Sequence, residues 1–291
     1  MNGRFSIVLS GGGCKVFWAT GALEVYRDLL PPVDAWAGVS AGAGFALAHV
    51  ANRLDEALAV FVDAVERNQR NFDLRRITRR QRPCPHDDIY RATVRAVLRG
   101  EGFERVRGGA PVHILLSYIE PGERPVLTSF GAVQSYLIRR RNHVFHGPLD
   151  LPPGIGAEIV SSHQARDLDT LLDWTLMSST IPPFTRVHRR EGRRYLDGGL
   201  VDNIPIRALP PEFRGPGNKI LCLVSHQVPV PARPRVWTEG AEVLYVAAGA
   251  PLPVRVWDYT SPALVHAALD LGRRDAQAQR ARVEAFVRGL G

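Results

Sequence analysis

Twice within its first fifty residues the chain passes from a short apolar run through small residues into a helical pattern. FSIVL (5–9) reads as a buried strand and stops at Ser10 and three glycines. Val16, Phe17, Thr20, Leu23 and Tyr26 then recur at helical spacing up to Pro31. DAWAGV (34–39) reads as a second strand and leads into an alanine-rich helix from Ala41. Consecutive strand-to-helix units argue for an α/β chain in which helices cover a mainly parallel sheet.

The later sequence extends this pattern. PVHILLSYI (111–119), GAEIVSSH (156–163), the run that breaks at LDGG (196–199), KILCLVSH (219–226) and EVLYVAAG (242–249) read as strands. Residues 54–68, 87–99 and LDTLLDWTLMSS (168–179) read as helices, the last ended by Pro182 and Pro183. The simplest organisation for residues 1–291 is one domain, with about 54–110 as a cap or inserted helical region and about 260–291 as a closing helical region. The arginine-rich stretch 70–82 reads as an exposed connection.

Composition removes several classes. The chain is 45% hydrophobic and 23% charged, an ordinary globular balance with a full core available. Cys14, Cys84 and Cys222 are too few and scattered for a disulfide framework and form no CxxC pair, so neither zinc nor redox chemistry is indicated. The run 5–9 is too short for a signal-peptide core, and the longest uncharged run, 35–51, is short of a membrane span and diluted by Gly, Ser and His. A cytoplasmic location is expected, with export without a cleavable signal left open. The formal charge is +8, and all but Lys15 and Lys219 of the 37 basic residues are arginine. Arginine suits phosphate pairing, but nothing beyond charge points to nucleic acid. SGGGCK is not a phosphate-binding GxxxxGK[ST] loop, and no acidic residue follows at dinucleotide spacing.

The candidate chemistry begins at Gly38-Val39-Ser40-Ala41-Gly42, a GxSxG pattern where a strand meets a helix. Such an elbow holds the serine in a strained turn, and the small flanking residues permit close packing. The serine needs a base. An α/β-hydrolase order would offer Asp258 and His266, although Ser40 comes early for that layout. Asp197, before Gly198 and Gly199 at the end of a strand, offers a carboxylate whose basicity desolvation would raise. The glycine run 11–13 exposes backbone N–H groups suited to an anion, either a phosphate or a reaction intermediate.

Together SGGGCK (10–15), GVSAG (38–42), SSTIPPF (178–184) and DGGLVDNIP (197–205) resemble, in order, the motifs of the patatin-like phospholipase family, and WDYTSP (257–262) is similar to a segment of its bacterial members. The resemblance implies a three-layer α/β sandwich and a Ser-Asp dyad. Ser40 would be the nucleophile and Asp197 the general base, with no metal or organic cofactor. Gly11, Gly12, Gly13 and Cys14 would supply an oxyanion hole. Lys15, Gly38, Gly42, Gly198 and Gly199 would support the loops. The sequence departs from the pattern at Val16, where GxGxxG closes on glycine. The implied substrate is a lipid acyl ester (phospholipid, lysophospholipid or acylglycerol) met at a membrane or micelle surface, with transient peripheral contact. The competing readings are a non-catalytic module that binds anionic membrane and a Ser-Asp-His esterase.

Overall fold

In the computed structural model, which describes residues 3–78, 80–141, 146–147 and 151–288, the described strands form one nine-stranded sheet. In chain order the strands are β1 (Phe5–Leu9), β2 (Ala35–Gly38), β3 (Val112–Ile119), β4 (Ile155–Ser161), β5 (Arg189–Arg190), β6 (Arg193–Leu196), β7 (Lys219–Val224), β8 (Arg235–Val236) and β9 (Glu242–Ala247). The helices are α1 (Val16–Tyr26), α2 (Ala41–Val50), α3 (Leu54–Glu66), α4 (Arg75–Thr78), α5 (His86–Leu98), α6 (Gly102–Gly108), α7 (Pro125–Arg141), α8 (Leu168–Met177), α9 (Pro211–Arg214) and α10 (Pro262–Arg288). Residues 289–291 of the expected closing region and Arg79 of the arginine-rich stretch lie outside the described residues.

The centre of the sheet, β3-β2-β1-β7-β9, is parallel throughout, while β4, β5, β6 and β8 add antiparallel pairings. The parallel strands are buried on both faces, so they read as continuous apolar runs. Alternate side chains enter two cores. Ile7, Leu9, Leu221 and Leu223 point to one face, with α1, α2, α3, α5, α6, α8 and α10. Val8, Ile220, Cys222 and Val224 point to the other, with α7, α9 and the 200–209 segment. The fold is therefore the α/β sandwich of three layers.

Two features of this frame concern the site. First, β4 runs along the whole of one edge of β3, leaving the other edge for two strands that arrive from opposite directions. β2 ends with Gly38 opposite Ile114, and β6 ends with Leu196 opposite Ser117. Their continuations, Ser40 and Asp197, converge on the gap between them. Second, α1 is buried on all but its Glu24–Val25 edge, as an apolar helix between sheet and helix must be. α10 closes over it so tightly that a Cβ on Gly272 would lie 2.0 Å from the Trp18 carbonyl oxygen. The region of about 54–110, expected as a cap or insertion, sends Phe61, Val65, Ile89, Val97 and Phe103 into the larger core. Within 70–82, α4 is exposed and Arg76 pairs with Asp88.

Candidate active site

Ser40 stands between β2 and α2 with φ 54° and ψ −131°, a left-handed conformation that a β-substituted residue adopts only when its surroundings impose it. Three contacts do so. The Ser40 N–H donates to Ser178 Oγ at 2.8 Å, the Ser178 hydroxyl donates to the Leu115 carbonyl in the β2–β6 gap at 2.7 Å, and the Tyr90 hydroxyl donates to the Ser40 carbonyl at 3.0 Å. Glycine at 42 lets α2 approach the end of β1, because a Cβ there would lie 2.5 Å from the Ser10 carbonyl oxygen. The N-terminal end of the α2 dipole favours negative charge near the serine.

Asp197 is fixed with equal care. Its N–H donates to Thr180 O at 2.7 Å, its carbonyl accepts from Ser117 Oγ at 3.0 Å, and the Gly198 N–H donates to Ser178 O at 3.2 Å. The SSTIPPF segment thus forms a rail for the strand end that carries the carboxylate. That carboxylate accepts from the Gly199 N–H at 2.7 Å and shares the cleft with Ser40. Burial pushes its pKa up to about 6, against the opposing effect of the neighbouring Ser40 hydroxyl and the Gly199 N–H.

The glycine loop lies against the serine, since a Cβ on Gly11 would come within 3.3 Å of Ser40 Cβ. Its four amides are not equivalent. The Gly11 N–H donates to Asn203 O at 3.2 Å and the Cys14 N–H to Val256 O at 2.9 Å, so these two members of the expected oxyanion hole are already engaged. Among the described residues neither the Gly12 nor the Gly13 N–H has an acceptor, and both residues line the cleft. Gly12 (φ 154°) and Gly13 (φ 56°) are left-handed, and a Cβ on Gly13 would strike the Val256 carbonyl oxygen at 2.1 Å. Val16 is helical at φ −65°, ψ −18°, so the departure from glycine there meets no backbone obstacle. The Cys14 thiol donates to Asp258 O at 3.3 Å, and burial pushes its pKa up to about 12, which keeps it a neutral thiol.

Ser40, Asp197, Gly12 and Gly13 share a cleft of about 790 Å³, measured out to its mouth, with Lys15, His86, Tyr136, His226 and Trp257 also in its walls. Spacing in the sequence ties none of these last four to Ser40. His86 bonds the Tyr259 hydroxyl through Nδ1, and burial lowers its pKa to about 4, so it stays neutral. His266, the base of the triad alternative, lies exposed on α10 and is no part of the cleft, and Asp258 accepts from Thr260 Oγ1 at 3.3 Å. The triad reading is corrected accordingly. No three His, Cys, Asp or Glu side chains among the described residues converge as a metal set.

Comparison with known proteins agrees with these motifs. A search of curated proteins found no match. Solved structures similar to the chain include VipD from Legionella pneumophila, at 12% identity and TM-score 0.47, and human GIVD cytosolic phospholipase A2, at 10% identity and TM-score 0.49. The alignments cover 97% and 99% of this chain, which spans 67% and 63% of those two. The Patatin family model, described as patatin-like phospholipase, matches residues 7–210, which hold both Ser40 and Asp197. The chain belongs to the patatin-like phospholipase family.

Proposed function

We propose that the chain is a serine acyl hydrolase that cleaves lipid acyl esters through a Ser40-Asp197 dyad. The observation that carries this reading is that the strained Ser40 and the buried Asp197 carboxylate line one open cleft together with the Gly12 and Gly13 amides. Family membership supports a lipid ester as the substrate class.

Asp197 takes the hydroxyl proton as Ser40 Oγ attacks the ester carbonyl. The oxyanion forms against the Gly12 and Gly13 amides, where the loss of one such donor typically costs about 3 kcal/mol of barrier. Protonated Asp197 then returns the proton to the departing alcohol, leaving an acyl ester on Ser40. Asp197 next draws a proton from water, which attacks the acyl carbonyl. Collapse releases the fatty acid and restores the serine. A carboxylate with a pKa of about 6 is basic enough for this and still ionised at neutral pH.

A fluorophosphonate should label Ser40 stoichiometrically, as read by intact mass and peptide mapping. Ser40→Ala and Asp197→Asn should each remove fatty-acid release from phospholipid vesicles, assayed by lipid mass spectrometry, while the protein stays folded. Wild-type turnover in either variant would refute the dyad.

A further inference from the structure

Helix α7 turns an apolar face to water. From Pro125 to Ile138 its sequence, PVLTSFGAVQSYLI, contains no charge. Ala132 is buried, Val133 and Tyr136 are half-buried against the sheet side, and the opposite face exposes Val126 (85%), Leu127 (64%), Phe130 (61%), Leu137 and Ile138. A surface helix normally carries its charges there, and a contiguous apolar patch of this kind marks a surface that something else covers.

Two further observations say what covers it. An open groove of about 1140 Å³ runs beside the helix, walled by Val126, Phe130 and Val133 on one side and by Pro182, Val187 and Leu196 on the other. Arg189 and Arg194 also line it. Their neighbours Arg190 and Arg193 are matched by Glu158, but Arg189 and Arg194 have no ion-pair partner among the described residues. Apolar contact and two unmatched guanidiniums therefore share one rim, which is complementary to acyl chains beneath a layer of phosphates. The groove also adjoins the catalytic cleft. Tyr136 of α7 and Ile181, next to Pro182, are walls of that cleft. No helix among the described residues is long and apolar enough to cross a membrane, so α7 would lie along one.

We propose that the outer face of α7 and the Arg189/Arg194 rim are the surface by which this chain seats on an anionic bilayer. Leu127, Phe130 and Ile138 enter the acyl boundary and the two arginines meet lipid phosphates. The choice of a bilayer as occupant rests on the lipid-ester reading above.

The test uses the Ser40→Ala protein, which leaves vesicles intact, and measures partition by co-sedimentation with phosphatidylcholine vesicles with and without phosphatidylglycerol. Leu127→Asp and Phe130→Asp should each weaken partition about tenfold or more. Arg189→Glu with Arg194→Glu should remove the preference for phosphatidylglycerol. Val236→Asp, equally exposed but on β8, should bind as its parent does. Circular dichroism checks folding. Because Cys14, Cys84 and Cys222 are all buried, an environment-sensitive dye on Leu127→Cys gives a second reading: it should shift blue on vesicles, and the same dye on Val236→Cys should not. Absence of binding, equal losses at Val236, or an α7-dependent dimer seen by sedimentation would overturn the proposal. If the variants lose binding while wild-type protein releases no fatty acid, the hydrolase reading falls and the docking face stands. Hydrolysis by wild type together with undiminished binding by the variants gives the converse.

Discussion

Asp197 serves two opposed ends, because the burial that makes it a useful base also makes its charge costly. With a pKa of about 6, kcat/KM on a soluble ester should fall about tenfold per pH unit below that value and level off above it. A pH-rate profile that stays flat down to about pH 4 would remove Asp197 as the base. The same shift sets a stability term. The folded value lies above the unfolded one, so folded protein holds the proton more tightly and stability declines as pH rises from about 4 to about 6. Ionised Asp197 thus destabilises the fold at neutral pH by at most about 3 kcal/mol. Asp197→Asn, which keeps the shape and an acceptor for Gly199, should melt higher than wild type at about pH 8, with the gap closing near pH 4. Differential scanning calorimetry at the two pH values reads this directly. Equal melting at both would mean that the burial of Asp197 carries no electrostatic cost.

At the scale of elements, the site depends on β2 and β6 ending toward one another along a single edge of β3. Ser178 bridges the gap. Its hydroxyl oxygen accepts from the Ser40 N–H and its proton goes to Leu115 O. Ser178→Ala would leave two buried backbone groups without partners, each worth about 1–3 kcal/mol, and would free the elbow to relax. We expect kcat to fall roughly tenfold to a hundredfold with little change in KM, since the substrate contacts persist while the attack geometry does not. Unchanged kcat would show that α2 and Tyr90 suffice to hold Ser40. GxSxG and DGG can each be picked out in the sequence, and the resemblance to the family is what pairs them. The residues that bring them together cannot, because RRYL does not say which edge of β3 it joins. Ser178 and Tyr90 likewise act across 138 and 50 residues. Helix α7 was equally hidden, since a helix apolar on its outer face has neither of the alternations that mark an ordinary surface element.

For the molecule as a whole, the α/β sandwich was legible because β1 and β2 are each followed directly by a covering helix. The division of labour along the chain was not. The family match ends at residue 210, yet what lies beyond it completes both the core and the site. β7 pairs with the full length of β1, and β9 with β7. α10 covers α1, and Asp275 accepts the Trp18 indole N–H at 2.8 Å. Val256 O holds the Cys14 amide. A chain ending at residue 210 therefore retains Ser40, Asp197 and every glycine of the loop, but leaves β1 as an exposed apolar edge and α1 as an uncovered apolar helix. Such an edge invites association between chains, and the uncovered helix lacks the burial that holds it in place. We expect residues 1–210 expressed alone to be insoluble or to melt without cooperativity, and to show neither fluorophosphonate labelling nor ester hydrolysis, whereas residues 1–288 should match the whole chain. Soluble, cooperative and active 1–210 protein would show that the dyad is held by β1 to β6 alone, with β7, β9 and α10 an accessory layer.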